Sequence, residues 1–189
     1  MEVNTKVNLS GLILDNPVIP ASGTYGFGKE YVDFYDINIL GSISIKGTTV
    51  QRRKGNPQPR IAECYSGLIN SVGLENPGME NVIQKELKDL EKIYRKPVIA
   101  NISGFSVEEY VTLAREMDKV DNVGIIEVNI SCPNVDHGGL AFGTNADNVR
   151  ELTKKIKEVT TKPIYMKLSP NVTDIKEIAR AAEEGGADG

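Results

Sequence analysis

The chain is short of the residues that most often mark a site. It has one histidine, His137, and two cysteines, Cys64 and Cys132, in 189 residues. A lone histidine in a polar loop reads as an exposed loop residue and gives a cysteine–histidine dyad no support. The two cysteines make no metal-binding spacing, so no metal centre is expected. Reduced thiols in a cytoplasmic protein are the expectation. There is no basic tract and no acidic tail, and the net charge is −4. Nucleic acid and anionic membrane are thereby excluded as partners. No apolar run is long enough to cross a bilayer, and the first residues, Met1-Glu2-Val3-Asn4-Thr5, are no signal peptide. The sequons at Asn101, Asn129 and Asn171 then carry no meaning.

What is present suffices for a buried core: 40% hydrophobic and 25% charged residues. The most informative stretch is Ile125-Ile126-Glu127-Val128-Asn129-Ile130-Ser131-Cys132-Pro133-Asn134. Ile126, Val128 and Ile130 alternate with Glu127, Asn129 and Ser131, the period of a strand. Pro133 lacks an N–H and holds Cys132 extended on a sharply turned loop. A thiol just past the C-terminal end of a buried strand is where an α/β enzyme keeps its chemistry. Val98 to Ser103 and Ile164 to Ser169 repeat the pattern. They place Asn101, Asn129 and Lys167 at matching positions of three successive strands.

In chain order, Val7 to Leu14 reads as a hairpin turning at Ser10-Gly11. Pro17 to Pro20 is a brief strand. It runs into the glycine-rich Ala21 to Gly28, where backbone can lie close to something flat or to a phosphate. A short helix over Lys29 to Asp36 and a strand over Ile39 to Lys46 follow. That strand has Ser42, Ser44 and Lys46 on one face. Gln51 to Tyr65 reads as a solvated polar loop. Pro77 to Tyr94 reads as a helix, and Pro97 opens the next strand. Ser106 and Glu109 make a capping box for a helix whose stripe is Val107, Tyr110, Val111, Ala114 and Met117. Asp136 to Gly143 has the composition of a lid. Val149, Leu152, Ile156 and Val159 mark a further helix, Pro163 opens a further strand, and a last helix ends at Gly185-Gly186.

Strand–helix alternation implies a parallel sheet with helices outside. Two architectures fit: a small doubly wound domain, or a (β/α)₈ TIM barrel. Polar residues in register at successive strand ends favour the barrel. A complete barrel needs roughly 250 residues. The expectation is therefore one domain, 1–189, holding about five of the eight units, with an N-terminal hairpin and a stop before any sixth strand. A thiol, a lysine and several asparagines at one strand-end face suit a planar, polar, anionic small molecule.

These residues resemble a known family. Asn16-Pro17, Ala21-Ser22-Gly23, Lys46, Gly55 to Arg60, Asn70-Ser71-Val72-Gly73-Leu74, Asn101, Asn129 to Asn134 and Lys167 are similar, over essentially the whole length, to the N-terminal two-thirds of class 1 dihydroorotate dehydrogenases. The resemblance implies an enzyme with a TIM barrel and FMN over its C-terminal mouth, oxidising dihydroorotate to orotate in pyrimidine synthesis. It implies Cys132 as the base that takes the proton from C5. It implies Lys46, Asn70, Ser71, Val72, Gly73, Leu74 and Asn129 at the substrate, and Ser22, Lys46, Gly47, Asn101, Asn129 and Lys167 at the flavin. Thr24 to Tyr31 and the loop His137 to Gly143 look like the class 1B subtype. That subtype pairs a homodimer core with a second subunit carrying FAD and a [2Fe–2S] cluster, and passes electrons to NAD. No four-cysteine cluster spacing is present, so an iron–sulfur centre belongs on a partner. The alternatives are a fumarate-using class 1A homodimer, a dihydropyrimidine or dihydrouridine reductase, and a non-catalytic fragment. Because the barrel's phosphate-gripping loops follow strands seven and eight, the expectation is that the 189 residues alone hold FMN weakly and turn over no dihydroorotate. Cys64 is expected to be a buried structural thiol.

Overall fold

The computed structural model describes residues 3–131 and 140–189. Strands β1 (Val7–Leu9) and β2 (Leu12–Leu14) form the expected hairpin, turning through Ser10 and Gly11, both at positive φ. A single helical turn, α1 (Ser22–Tyr25), stands where a glycine-rich loop is expected. Strands β3 (Ile61–Cys64) and β4 (Gly67–Asn70) form a second antiparallel hairpin. Helices α2 (Met79–Asn81) and α3 (Leu87–Ile93) are joined through a π-helical turn, Val82–Glu86. Then come β5 (Val98–Ile102), α4 (Val107–Asp118), β6 (Val123–Asn129), α5 (Leu140–Gly143), α6 (Ala146–Lys157), β7 (Ile164–Lys167) and α7 (Ile175–Glu184).

Strands β5, β6 and β7 pair in parallel, in that order. An extended segment around residues 43–48 joins the outer edge of β5 in the same direction. Ile99 donates to Ile43, Ile45 to Ile99, and Thr48 to Asn101, at 2.9 Å each. At the far edge Asp188 donates to Ile164 (2.8 Å) and Met166 to Gly189 (2.9 Å). The chain has therefore already begun to pair beyond α7, where the sequence reading has it stopping short of another strand. Helices cover one face. Tyr110, Leu113, Ala114 and Met117 of α4 and Val149, Leu152 and Ile156 of α6 pack on Val98, Ala100, Ile126, Val128 and Ile164. Ser106 caps α4 as expected, its Oγ accepting from Glu109 N (3.3 Å), but the Glu109 carboxylate reaches past the cap to accept from Phe105 N (2.7 Å) rather than from Ser106 N.

The β1–β2 hairpin closes the N-terminal ends of the strands. Ser10 Oγ bonds Tyr165 Oη at 3.0 Å, and Leu12 sits 3.0 Å from where a Gly124 β-carbon would be. The opposite, C-terminal ends are left for chemistry.

Five local expectations need correction. Pro17 to Pro20 forms no strand, although Val18 O accepts from Gly41 N at 3.0 Å. Lys29 to Asp36 holds only a 3₁₀ turn, Lys29–Tyr31, because Gly28 is left-handed and supplies no side-chain cap to nucleate a longer helix. The strand expected over Ile39 to Lys46 does not form as such: Asp36 caps a 3₁₀ turn over Ile37–Ile39, and the extended chain after it meets β5 only through isolated bridges at Ser44 and Thr48. The polar loop 51–65 contains strand β3. Every residue of β3 and β4 is exposed, so neither strand shows the one-sided burial that alternation detects. Cys64, at the end of β3, is exposed rather than buried.

Candidate active site

The site is organised by the register of three strands. Asn129 stands opposite Lys167, as expected for two strand-end residues. Asn101 does not join that row. It stands opposite Glu127, two residues nearer the strand N-termini, after an irregularity in pairing between Val98 and Ile99. Two-residue steps preserve the face, so Asn101, Ser103, Glu127 and Asn129 still share one side. Asn101 is fully buried, Asn129 is 8% exposed, and Lys167 is exposed.

Of the two polar atoms of the Asn101 side chain only one is bonded among the described residues. Its Nδ2 donates to Glu127 Oε1, which also accepts from Ser44 Oγ at 3.2 Å. Its Oδ1 is buried and has no partner among the described residues, and the same is true of Ser103 Oγ. Unpaired buried polar atoms are costly. Two of them side by side mark a surface built to meet something polar. Gly47 faces both, for a β-carbon there would lie 2.8 Å from Asn101 Oδ1 and 3.7 Å from Ser103 Oγ.

A bulge aims Gly47. Ile45 and Thr48 donate to Ile99 and Asn101, so three steps on one strand match two on the other. One extra residue at Lys46–Gly47 breaks the alternation that would have kept Ser42, Ser44 and Lys46 on a single face. Lys46 N turns away to Gly26 O at 2.8 Å. The Lys46 side chain lines a cleft of about 520 Å³ with Phe27, Arg52, Arg53, Glu75 and Asn76. Burial lowers its pKa from the ordinary value; Glu75 opposes the shift and Arg60 adds to it.

The loop after β4 is drawn to this end by Asn76. Its Oδ1 accepts from Thr49 N and Thr49 Oγ1 (3.2 Å each) and from Gly78 N (3.0 Å), and its Nδ2 donates to Leu74 O at 2.9 Å. Leu74, at φ 57°, thereby brings its Cδ1 within 3.1 Å of the Gly47 β-carbon position. Gly73 is buried, packed on Asn56, and accepts from Arg53 Nε at 3.4 Å. Val72 O accepts from Asn56 N at 3.0 Å. Ser71 is held by Asn56 Nδ2, which donates to its O and Oγ at 2.8 and 3.0 Å. Asn70 lies on the exposed hairpin, paired with Ile61. Ser22 is buried at the start of α1. Asn129 Oδ1 accepts from Ser131 N (3.1 Å) and Ser131 Oγ (2.7 Å), fixing the chain as it leaves β6. Cys132, Pro133, Asn134, His137 and the first part of the expected lid lie outside the described residues; the rest of that lid, Leu140–Gly143, is α5.

The structure thus gathers Gly47, Leu74 and Asn101 at one place, puts the side chain of the adjoining Lys46 in the cleft with Arg52, Arg53 and Glu75, and sets Asn129 and Lys167 in one row. The roles of Glu127, Ser103 and Asn76 escape sequence reasoning. The signal for Glu127 and Ser103 was their shared parity with Asn129 and Asn101; for Asn76 it was the Asn-Pro-Gly turn.

A family profile described as dihydroorotate dehydrogenase matches residues 4–189. The chain belongs to the dihydroorotate dehydrogenase family. A protein of Bacillus cytotoxicus named dihydroorotate dehydrogenase B (NAD(+)), catalytic subunit, is 56% identical over 184 residues, covering 97% of this chain and 59% of the relative. One from Bacillus cereus strain AH187 with the same name is 55% identical, with the same coverage. The chain therefore spans about 59% of the length of these dihydroorotate dehydrogenases. It also shares its fold with a crystal structure of dihydroorotate dehydrogenase from Eimeria tenella in complex with ferulenol. That match has a TM-score of 0.80 and 20% identity, covering 98% of this chain and 58% of the other. Among the described residues no helix is long and apolar enough to cross a membrane.

Proposed function

We propose that this chain provides the flavin- and substrate-facing staves of a dihydroorotate dehydrogenase that oxidises (S)-dihydroorotate to orotate in pyrimidine synthesis. The observation that carries the reading is the orphaned pair, Asn101 Oδ1 and Ser103 Oγ, facing Gly47 beside a half-buried lysine. A β-carbon at position 47 would fill the space that a flat polar ring needs, so the residues present fit FMN. The chain is read as one domain, about five of the eight units of a (β/α)₈ barrel, its remaining staves supplied by sequence beyond these residues. Parallel pairing from residue 43 through β7 and on to Gly189 supports that reading.

When bound, FMN supplies the acceptor for the hydride leaving C6 of the substrate. The chain's own residues do the rest. Cys132 takes the proton from C5; it follows Ser131, which Asn129 holds at the end of β6. Lys46 sets a positive charge against the ring, favouring negative charge there; Gly47, Asn101, Ser22 and Lys167 seat the flavin. Asn70 to Leu74 and Asn129 grip the substrate's amide edges, for which asparagine offers a paired donor and acceptor.

The names of the Bacillus relatives favour the NAD-linked subtype over the fumarate-linked one. Electrons then leave through a separate subunit carrying FAD and a [2Fe–2S] cluster, joined to a homodimer of catalytic chains in the cytoplasm. The test is anaerobic mixing of the full-length protein with dihydroorotate. Flavin absorbance should bleach, and NAD should be reduced only when the second subunit is added. A flavin that stays oxidised would reject the reading, and bleaching reversed by fumarate alone would reassign the subtype.

A further inference from the structure

We propose that Glu127 is a positioning residue that fixes the Asn101 amide with its oxygen toward Gly47, making Asn101 an obligate hydrogen-bond acceptor for the bound ring. The inference rests on the flavin reading above and adds to it the polarity of one contact and the residue that sets it.

The argument begins with the amide. An asparagine side chain can present either its oxygen or its NH₂ to a site, and rotation by half a turn exchanges them. Asn101 is fully buried on β5, directly opposite Glu127 on β6. An ionised carboxylate only accepts hydrogen bonds. Glu127 Oε1 accepts from Asn101 Nδ2 on one side and from Ser44 Oγ on the other. With the amide rotated, its oxygen would oppose the carboxylate oxygen at a fully buried position, where like partial charges are poorly screened by water. Glu127 therefore selects one rotamer. In that rotamer Oδ1, which lacks a partner among the described residues, is the atom that a Gly47 β-carbon would touch.

The ligand facing Asn101 must then donate. An oxidised isoalloxazine ring carries several acceptors and one N–H, the imide of its pyrimidine half. An acceptor fixed at Asn101 therefore selects the imide edge and rejects the ring presented the other way.

The test uses the full-length protein with its flavin removed and restored. Two readouts are taken, the FMN dissociation constant and the NMR resonance of the imide N–H of FMN labelled with ¹⁵N at that position. In the parent protein the imide proton should resonate downfield, as in a hydrogen bond, and exchange slowly with water. Glu127→Gln can offer Nδ2 an oxygen but can equally turn its NH₂ to Oδ1, so it should keep both properties only in part, weakening FMN less than Glu127→Ala. Glu127→Ala frees the amide to rotate; FMN should bind ~10-fold more weakly, and the imide resonance should move upfield or exchange away. A purely structural role would lower thermal stability in both variants and leave the imide resonance of bound FMN unchanged, which would overturn the proposal. An imide proton not hydrogen-bonded in the parent protein would overturn it without any variant. A parent protein that binds no FMN would overturn the functional reading as well, whereas normal FMN binding and dihydroorotate oxidation with an unmoved imide in Glu127→Ala would remove this inference alone.

Discussion

Thr49 and Asn76 hydrogen-bond to each other in both directions. Thr49 N and Oγ1 each lie 3.2 Å from Asn76 Oδ1, and Asn76 Nδ2 lies 2.9 Å from Thr49 Oγ1. Both residues are buried. The pair fastens the loop carrying Gly73 and Leu74 to the end of the segment that pairs with β5, so the two form one unit.

Asn76→Ala should therefore loosen the substrate loop. Leaving the buried Thr49 and Gly78 N–H groups unpaired costs about 2 kcal/mol. Urea unfolding of the full-length protein should show that loss at unchanged m-value. Limited proteolysis should cut faster between residues 51 and 78, and KM for dihydroorotate should rise more than kcat falls. Unaltered cleavage would mean that the hairpin contacts hold the loop without the clamp.

Gly47→Ala tests the cradle. Its β-carbon would sit 2.8 Å from Asn101 Oδ1 and 3.1 Å from Leu74 Cδ1. Leu74 can swing, but the Asn101 amide is tied to Glu127 and cannot retreat cheaply. The purified full-length variant should be folded, with a circular dichroism spectrum like the parent's, and carry little flavin per chain by absorbance. Full flavin content would show that the ring does not approach residue 47.

Much of this was legible from local pattern. Pro97 and Pro163 announce β5 and β7, Ile126, Val128 and Ile130 announce β6, and Ser106 with Glu109 starts α4. The pairing of Asn129 with Lys167 follows because each ends its strand. What was not legible is relational. The offset of Asn101 by one two-residue step depends on how β5 and β6 slide past each other, which neither strand encodes alone. The bulge at Lys46–Gly47 leaves no mark in an apolar–polar alternation. Glu127 reads in isolation as a polar residue on a wet face, and only the neighbouring Ser44 and Asn101 turn it inward. The β3–β4 hairpin buries neither face, so its composition looks like a loop.

Lys46 makes a pH prediction. Burial lowers its pKa, so the folded protein favours the neutral amine more than the unfolded chain does. Between the lowered folded value and the ordinary 10.5 the unfolded state binds more protons, and stability rises with pH across that window. Below the window both states are charged and the cost of holding a buried ammonium is fully present. Lys46→Met should thus raise the melting temperature of the flavin-free full-length protein at pH 7, with a gain that shrinks as pH approaches 10.5. The same variant should lose the stabilisation that FMN gives the parent. A variant less stable than the parent at both pH values would show that the lysine's partners outweigh its burial.

The two cysteines should separate cleanly. Cys64 ends β3 on an exposed hairpin; Cys64→Ala should leave turnover unchanged, and the thiol should react readily with a maleimide. Cys132 directly follows Ser131, whose N and Oγ are both held by Asn129 Oδ1, and directly precedes Pro133. A general base works when its reach to the substrate proton is set in advance. In the full-length enzyme Cys132→Ala should keep flavin and orotate binding but slow flavin reduction by dihydroorotate ~10²–10⁴-fold. Cys132→Ser should recover part of the rate, with its pH profile displaced upward because a hydroxyl is the weaker acid. Stopped-flow reduction measured across pH distinguishes the two variants. Near-parental reduction by Cys132→Ala would assign the base to another residue.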